Sequence, residues 1–199
     1  TARIFKWKEN NMPVANCHKI PAAAFTRHLL EAEDIAEYWE EIIRRLQQFN
    51  KDLNIVFTVS PVRHLKDGAH GNQVSKSILI TAIDKLVSRN NELTYFPSYE
   101  IMLDELRDYR FYKKDMLHPS DLAVEYIWDR LRESYFSPGT EQIYQRVLKI
   151  SEAARHKVLG NDPDELARFK ETMLTRISKL KNEYPVIDLG EEEKYFREL

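Results

Sequence analysis

Asp115-Met116-Leu117-His118-Pro119 is the stretch of this chain whose residue types and spacing can do chemistry. A carboxylate three residues before a histidine, on a turn, lets the acid fix the imidazole tautomer while the other ring nitrogen faces a substrate. Asp115 would accept from one nitrogen and His118 would deprotonate a hydroxyl with the other, a step worth on the order of 10²–10⁴-fold in rate. Pro119 reads as a first helical position, which would set the imidazole near a helix N-terminus and favour its neutral form. The bland alternative is an N-capping turn with no chemistry.

Other candidates are weaker. His64, Asp67 and His70 form His-x-x-Asp-x-x-His in a glycine-bearing loop after a strand, where α/β ligand sites lie. No convincing fourth ligand accompanies them, so substrate contact by Arg63, His64 or Lys66 is preferred to a metal. Ser60 ends a strand, but Gly-x-Ser-x-Gly is absent and Pro61 follows, which favours a turn role. Arg107, Asp108 and Arg110 read as a salt-linked loop bracing Asp115. Cys17 and His18 are sequence neighbours, would point to opposite faces of an extended segment, and form no nucleophile–base pair.

The elements that must position these residues follow from pattern. Ala2 to Trp7 alternates like a short strand, Asn10-Asn11-Met12-Pro13 reads as a turn, and Val14 to Lys19 as an extended piece. A helix fits Asp34 to Asn50, with Ile35, Trp39, Ile42, Ile43, Leu46 and Phe49 on one side. Leu53 to Val59 reads as a strand covered on both faces. A helix from Asn72, its N-cap, to Asn90 and a strand Leu93 to Phe96 complete a βαβ unit with parallel strands. Pro119 begins a further helix ending near Phe136, with Leu122, Tyr126, Ile127 and Leu131 inward. Trp39 and Trp128 fall on helical stripes and read as core.

Beyond Gly139 the pattern is a helical hairpin. Ile143, Val147, Ile150, Ala154 and Val158 form one stripe; Leu166, Phe169, Met173, Ile177 and Leu180 form the other. Gly160 closes the first helix, and Asp162, Pro163 and Glu165 open the second. This divides the chain into an α/β part, residues 1–136, and a helical hairpin with tail, residues 137–199.

The net charge of −2 over 199 residues gives no electrostatic reason to expect nucleic acid. No apolar run approaches the roughly 20 residues of a membrane span. A single cysteine, Cys17, excludes an internal disulfide and fits a reducing compartment. Thr1 is not an initiator Met, which fits an N-terminus internal to a longer product. Two parallel strands alone are marginal, so the chain reads as the C-terminal portion of an α/β domain with further strands elsewhere.

Five ordered segments carry a resemblance: Val14-Ala15-Asn16-Cys17-His18-Lys19, Phe57 through His64, Asn72 through Ser75-Lys76, Tyr95-Phe96-Pro97-Ser98-Tyr99-Glu100, and Asp115-Met116-Leu117-His118-Pro119. Together they resemble the GSCFA-domain family of bacterial proteins, placed within the SGNH or GDSL-like hydrolase superfamily, over residues 1 to about 131. The resemblance implies a flavodoxin-like three-layer α/β sandwich and a serine hydrolase acting on ester or O-acyl bonds. It implies Asp115 and His118 as two members of the triad, and Asn16 as the oxyanion-hole amide, worth roughly 2.7–4 kcal/mol in the transition state. Without the family, Asn16 is a turn residue bonding its own backbone. The Gly-Ser-Cys-Phe-Ala segment that would supply the nucleophile does not occur in these 199 residues.

The expectation is therefore a hydrolase part that provides Asp and His but not Ser, inactive alone and active when joined to the missing segment. Its substrate would be a small-molecule or glycan ester, with no cofactor or metal, no membrane and no nucleic acid. A bacterial cytoplasmic setting and self-association through the hairpin complete the picture. The competing expectation is a non-catalytic binding or interaction module.

Overall fold

Arg3–Trp7 forms strand β1, with every residue half-buried. In the computed structural model, which describes residues 1–14, 19–155 and 162–199, β1 is the centre of a small antiparallel sheet. β2 (Pro13–Val14) lies on one side and β3 (Phe25–Leu29) on the other. Asn11, with φ of 57°, helps turn the chain from β1 to β2. β3 has no sequence expectation behind it. Thr26-Arg27-His28 breaks the alternation, and pairing with β1, from Arg3 opposite Leu29 to Trp7 opposite Phe25, makes the segment a strand.

α1 (Ala32–Phe49) begins two residues before the expected Asp34. It buries Ile35, Ala36 and Ile43. Trp39, Ile42, Leu46 and Phe49, expected to face inward with them, are instead 38, 41, 40 and 93% exposed. The apolar stripe of α1 is wider than the surface it meets, so one edge of it packs and the other faces outward. Trp39 still lies edge-on against Phe57, with ring centroids 5.1 Å apart.

β4 (Ile55–Thr58), α2 (Gly68–Arg89) and β5 (Leu93–Phe96) form the expected βαβ unit, with β4 and β5 parallel from Ile55 opposite Leu93 to Thr58 opposite Phe96. This makes the chain a mixed α/β protein, as the sequence indicated. β4 is not covered on both faces: its burial alternates, and Val56 is exposed. α2 starts four residues earlier than expected. Gly68 enters it at φ of 69°, a backbone that a residue with a Cβ rarely adopts. Asn72 therefore lies inside the helix and is not its N-cap.

After β5 the chain forms α3 (Ser98–Glu100), which continues as π-helix through Ile101–Leu106 and buries Ile101, Met102 and Leu106. Sequence reading leaves this stretch as loop. Arg107 closes the π-turn, its N–H reaching Met102 O at 3.3 Å. α4 (Asp121–Tyr135) begins two residues beyond Pro119. Ala123, Tyr126 and Ile127 pack with Met102, Leu106 and Tyr112, whereas Leu122 and Trp128 are exposed, against expectation.

The chain divides into two compact units, Thr1–Leu131 and Arg132–Leu199. In the second, α5 (Pro138–Arg155), α6 (Pro163–Glu183) and α7 (Gly190–Glu198) share one core of Ile150, Met173, Ile177, Leu180, Leu189 and Phe196. Asp162 caps α6 as expected, accepting from Asp164 N at 2.9 Å. Gly160 and Val158 lie outside the described residues. Val147, Ile150, Ala154, Phe169, Met173, Ile177 and Leu180 of the hairpin stripes join this core, and Tyr135 and Val186 are the exposed large apolar side chains of the unit's described residues. No helix among the described residues is long and apolar enough to cross a membrane.

Candidate active site

Asp115 and His118 sit at the tip of a hairpin built between Phe111 and Ser120. Tyr112 and Pro119 pair as an isolated antiparallel bridge, Lys113 N donates to His118 O at 2.8 Å, and Ser120 N donates to Phe111 O at 2.7 Å. Met116 N donates to Lys113 O, and Met116 itself adopts φ of 60°. That left-handed residue reverses the chain between acid and base, and for a methionine it is strained by order 1 kcal/mol. Pro119 thus acts as a hairpin strand residue, and Ser120 caps α4, its Oγ 3.3 Å from Ala123 N.

Within the turn the pair is tightly made. His118 Nδ1 lies 2.6 Å from Asp115 Oδ2, while Asp115 Oδ1 accepts from Leu117 N at 2.9 Å and His118 N at 3.1 Å. The two main-chain N–H groups, followed by the imidazole, hold the Asp115 carboxyl down to about 2. An ionised Asp115 makes Nδ1 of a neutral His118 the donor, which leaves Nε2 as the basic nitrogen. No partner for Nε2 occurs among the described residues, and no described serine or threonine hydroxyl bonds to His118. Both side chains are open to solvent, 55% exposed for His118 and 44% for Asp115. Beside them runs an open groove of about 610 Å³, lined by Tyr112, Lys113, Lys114, Asp115, Ser120 and Asp121.

The hairpin leans on the segment that follows β4. Arg63 N donates to Leu117 O at 3.2 Å, its guanidinium Nη1 lies 3.4 Å from Met116 O, and its Cζ sits 3.9 Å above the Tyr112 ring centroid. Arg63, expected as a substrate contact, thus meets the turn that carries His118. His64 is brought nearby: its N–H donates to Asn72 Oδ1 at 2.9 Å, and its ring is exposed. Desolvation, then the nearby Lys76 ammonium, push the His64 imidazole below its ordinary range.

Three buried polar side chains grip the main chain of this segment. Ser98 Oγ donates to Val59 O at 2.9 Å and pairs with Thr58 Oγ1 at 2.6 Å. Lys76 Nζ donates to Ser60 O, and Asn72 accepts from His64. Ser98, Lys76 and Asn72 are 7, 2 and 8% exposed, and with Ser75 they are the buried polar residues of the described chain. Burial pushes the Lys76 ammonium below its ordinary range. Sequence reading assigned none of the three a role in the site. The available signal was the polar set Asn72, Ser75 and Lys76 on the inward face of an otherwise apolar helix.

Several expected residues are placed elsewhere. Arg107 pairs with Asp104 and Arg110 with Asp108, so this loop does not brace Asp115. The Asp67 carboxylate is held between Arg3 and Arg27 rather than between histidines. His70 and Lys66 are exposed. The described residues gather no group of three His, Cys, Asp or Glu able to hold a metal. Asn16, Cys17 and His18 lie outside the described residues.

Comparison with curated proteins and with solved structures returns no match. The model of the GSCFA family matches residues 1–131, a span that contains both the hairpin and the segment supporting it, and the chain belongs to the GSCFA family.

Proposed function

We propose that this chain supplies the acid and base of an SGNH-like serine hydrolase acting on ester or O-acyl bonds, within a flavodoxin-like sandwich completed by further strands. The carrying observation is the Asp115–His118 pair, in which a main-chain-clamped carboxylate fixes Nδ1 and leaves Nε2 open. Nε2 would take the proton of a serine hydroxyl as it attacks the acyl carbon and return it to the leaving alkoxide; water then repeats the cycle on the acyl-enzyme. The serine would come from the Gly-Ser-Cys-Phe-Ala segment that names the family, which these 199 residues do not contain. Asn16 would donate to the oxyanion.

A fluorophosphonate probe tests the reading. In a protein carrying this domain together with that segment, the probe should label the segment's serine, and His118→Ala should slow labelling at least 100-fold. Equal labelling of the two proteins would sink the assignment. The 199-residue chain alone should not react, and a labelled serine within it would place the nucleophile elsewhere.

A second reading, a non-catalytic interaction module, is favoured by the outward stripe of α1, where Tyr38, Trp39, Ile42, Leu46 and Phe49 are all exposed. Light scattering of the 199-residue chain decides for self-association through that stripe. Concentration-dependent dimers abolished by Ile42→Glu would support it, and a strict monomer would count against it.

A further inference from the structure

Lys76 is the anomaly of unit Thr1–Leu131. It is 2% exposed, it forms no ion pair among the described residues, and its Nζ donates to the main-chain carbonyl of Ser60. Its Nζ also lies over the Tyr99 ring, 5.6 Å from the centroid. Burying an amine against one carbonyl is a poor way to gain stability, because an apolar side chain of similar volume avoids the desolvation altogether. A fold that places a lysine there is using its reach and its donor.

What it reaches is the segment under the site. Asn72 and Lys76 stand one turn apart on the same face of α2, and they hold the segment at its two ends, His64 N and Ser60 O. Ser98 holds the residue before it, through Val59 O. Between those fixed points Arg63 projects to the turn, meeting Leu117 O, Met116 O and the Tyr112 ring. We propose that Lys76 is a positioning residue for His118: by fixing Ser60 it fixes Arg63, and through Arg63 the Met116–His118 turn that presents Nε2. The role in turnover rests on the hydrolase reading, whereas the mechanical link does not.

Two readouts separate the link from that reading. In the 199-residue chain, Lys76→Met should fold with its melting temperature held or raised. Hydrogen exchange at the Arg63 amide, whose acceptor is Leu117 O, should speed at least tenfold, while the α2 core amides of Ile83 and Leu86 change less than twofold. An unchanged Arg63 amide would overturn the proposal. So would failure of Lys76→Met to fold, because Lys76 would then be a stability residue. In the protein that also carries the serine segment, Lys76→Met should lower kcat at least tenfold with KM within twofold. An unchanged kcat beside a mobile Arg63 amide would overturn the positioning role, and absence of any turnover in the parent protein would instead count against the hydrolase reading.

Discussion

In the helices α5, α6 and α7, order comes from apolar side chains that meet each other: Ile150, Ile177, Leu180, Leu189 and Phe196 are all at most 1% exposed. Around Asp115 and His118, order comes from hydrogen bonds to main-chain atoms, made by Ser98, Lys76, Asn72, Arg63 and Asp115 itself. The first arrangement is dense and non-directional, suited to stability. The second is directional and fixes where one imidazole stands, at a cost in buried polar groups. The contrast separates substitutions that should unfold the protein from those that should displace the His118 imidazole.

The largest stability effect belongs to the apolar region. Phe196→Ala should destabilise the helical unit by about 3–5 kcal/mol in urea unfolding, because it empties a fully buried ring site. A loss below about 1 kcal/mol would break the contrast. Ser98→Ala should cost about 1–3 kcal/mol, since it strands the buried Val59 carbonyl. Replacing Met116 by glycine should have a smaller effect, within about 1 kcal/mol and in the stabilising direction, by removing the left-handed strain at φ of 60°. A loss above about 1 kcal/mol would mean that the Met116 side chain, not its backbone, holds the turn.

The pH dependence sharpens the comparison from the polar side. Asp115 falls from an ordinary 3.8 to about 2 on folding, so its contribution is fully present above the unfolded value. It is lost as pH drops through the folded value near 2. Below about pH 5 the stability difference between the wild type and Asp115→Asn should shrink steadily toward pH 2. A difference that grows on acidification would contradict the main-chain clamp on this carboxylate.

The same contrast explains what the sequence made legible. Hairpin stripes such as Ile177 and Leu180 were readable because each apolar residue repeats the helical period that its packing uses. Asp115 and His118 were readable because their interaction is local, across three residues. The stripe on α1 was readable as a stripe, but periodicity cannot say how much of it will be covered, so Trp39 and Phe49 went to the wrong side. β3 needed its partner β1 to be a strand, and the π-turn at Ile101–Leu106 is too short to show a helical period. The roles of Lys76 and Arg63 depend on which carbonyls lie within reach across the fold. No spacing in the chain encodes that.

We propose that His118 is the base of a serine hydrolase. Its most direct test is ester hydrolysis by the protein carrying both this domain and the serine segment, compared with its His118→Ala variant. The variant should lose about 10²–10⁴-fold in kcat with the fold intact. Equal rates in the two proteins would contradict it.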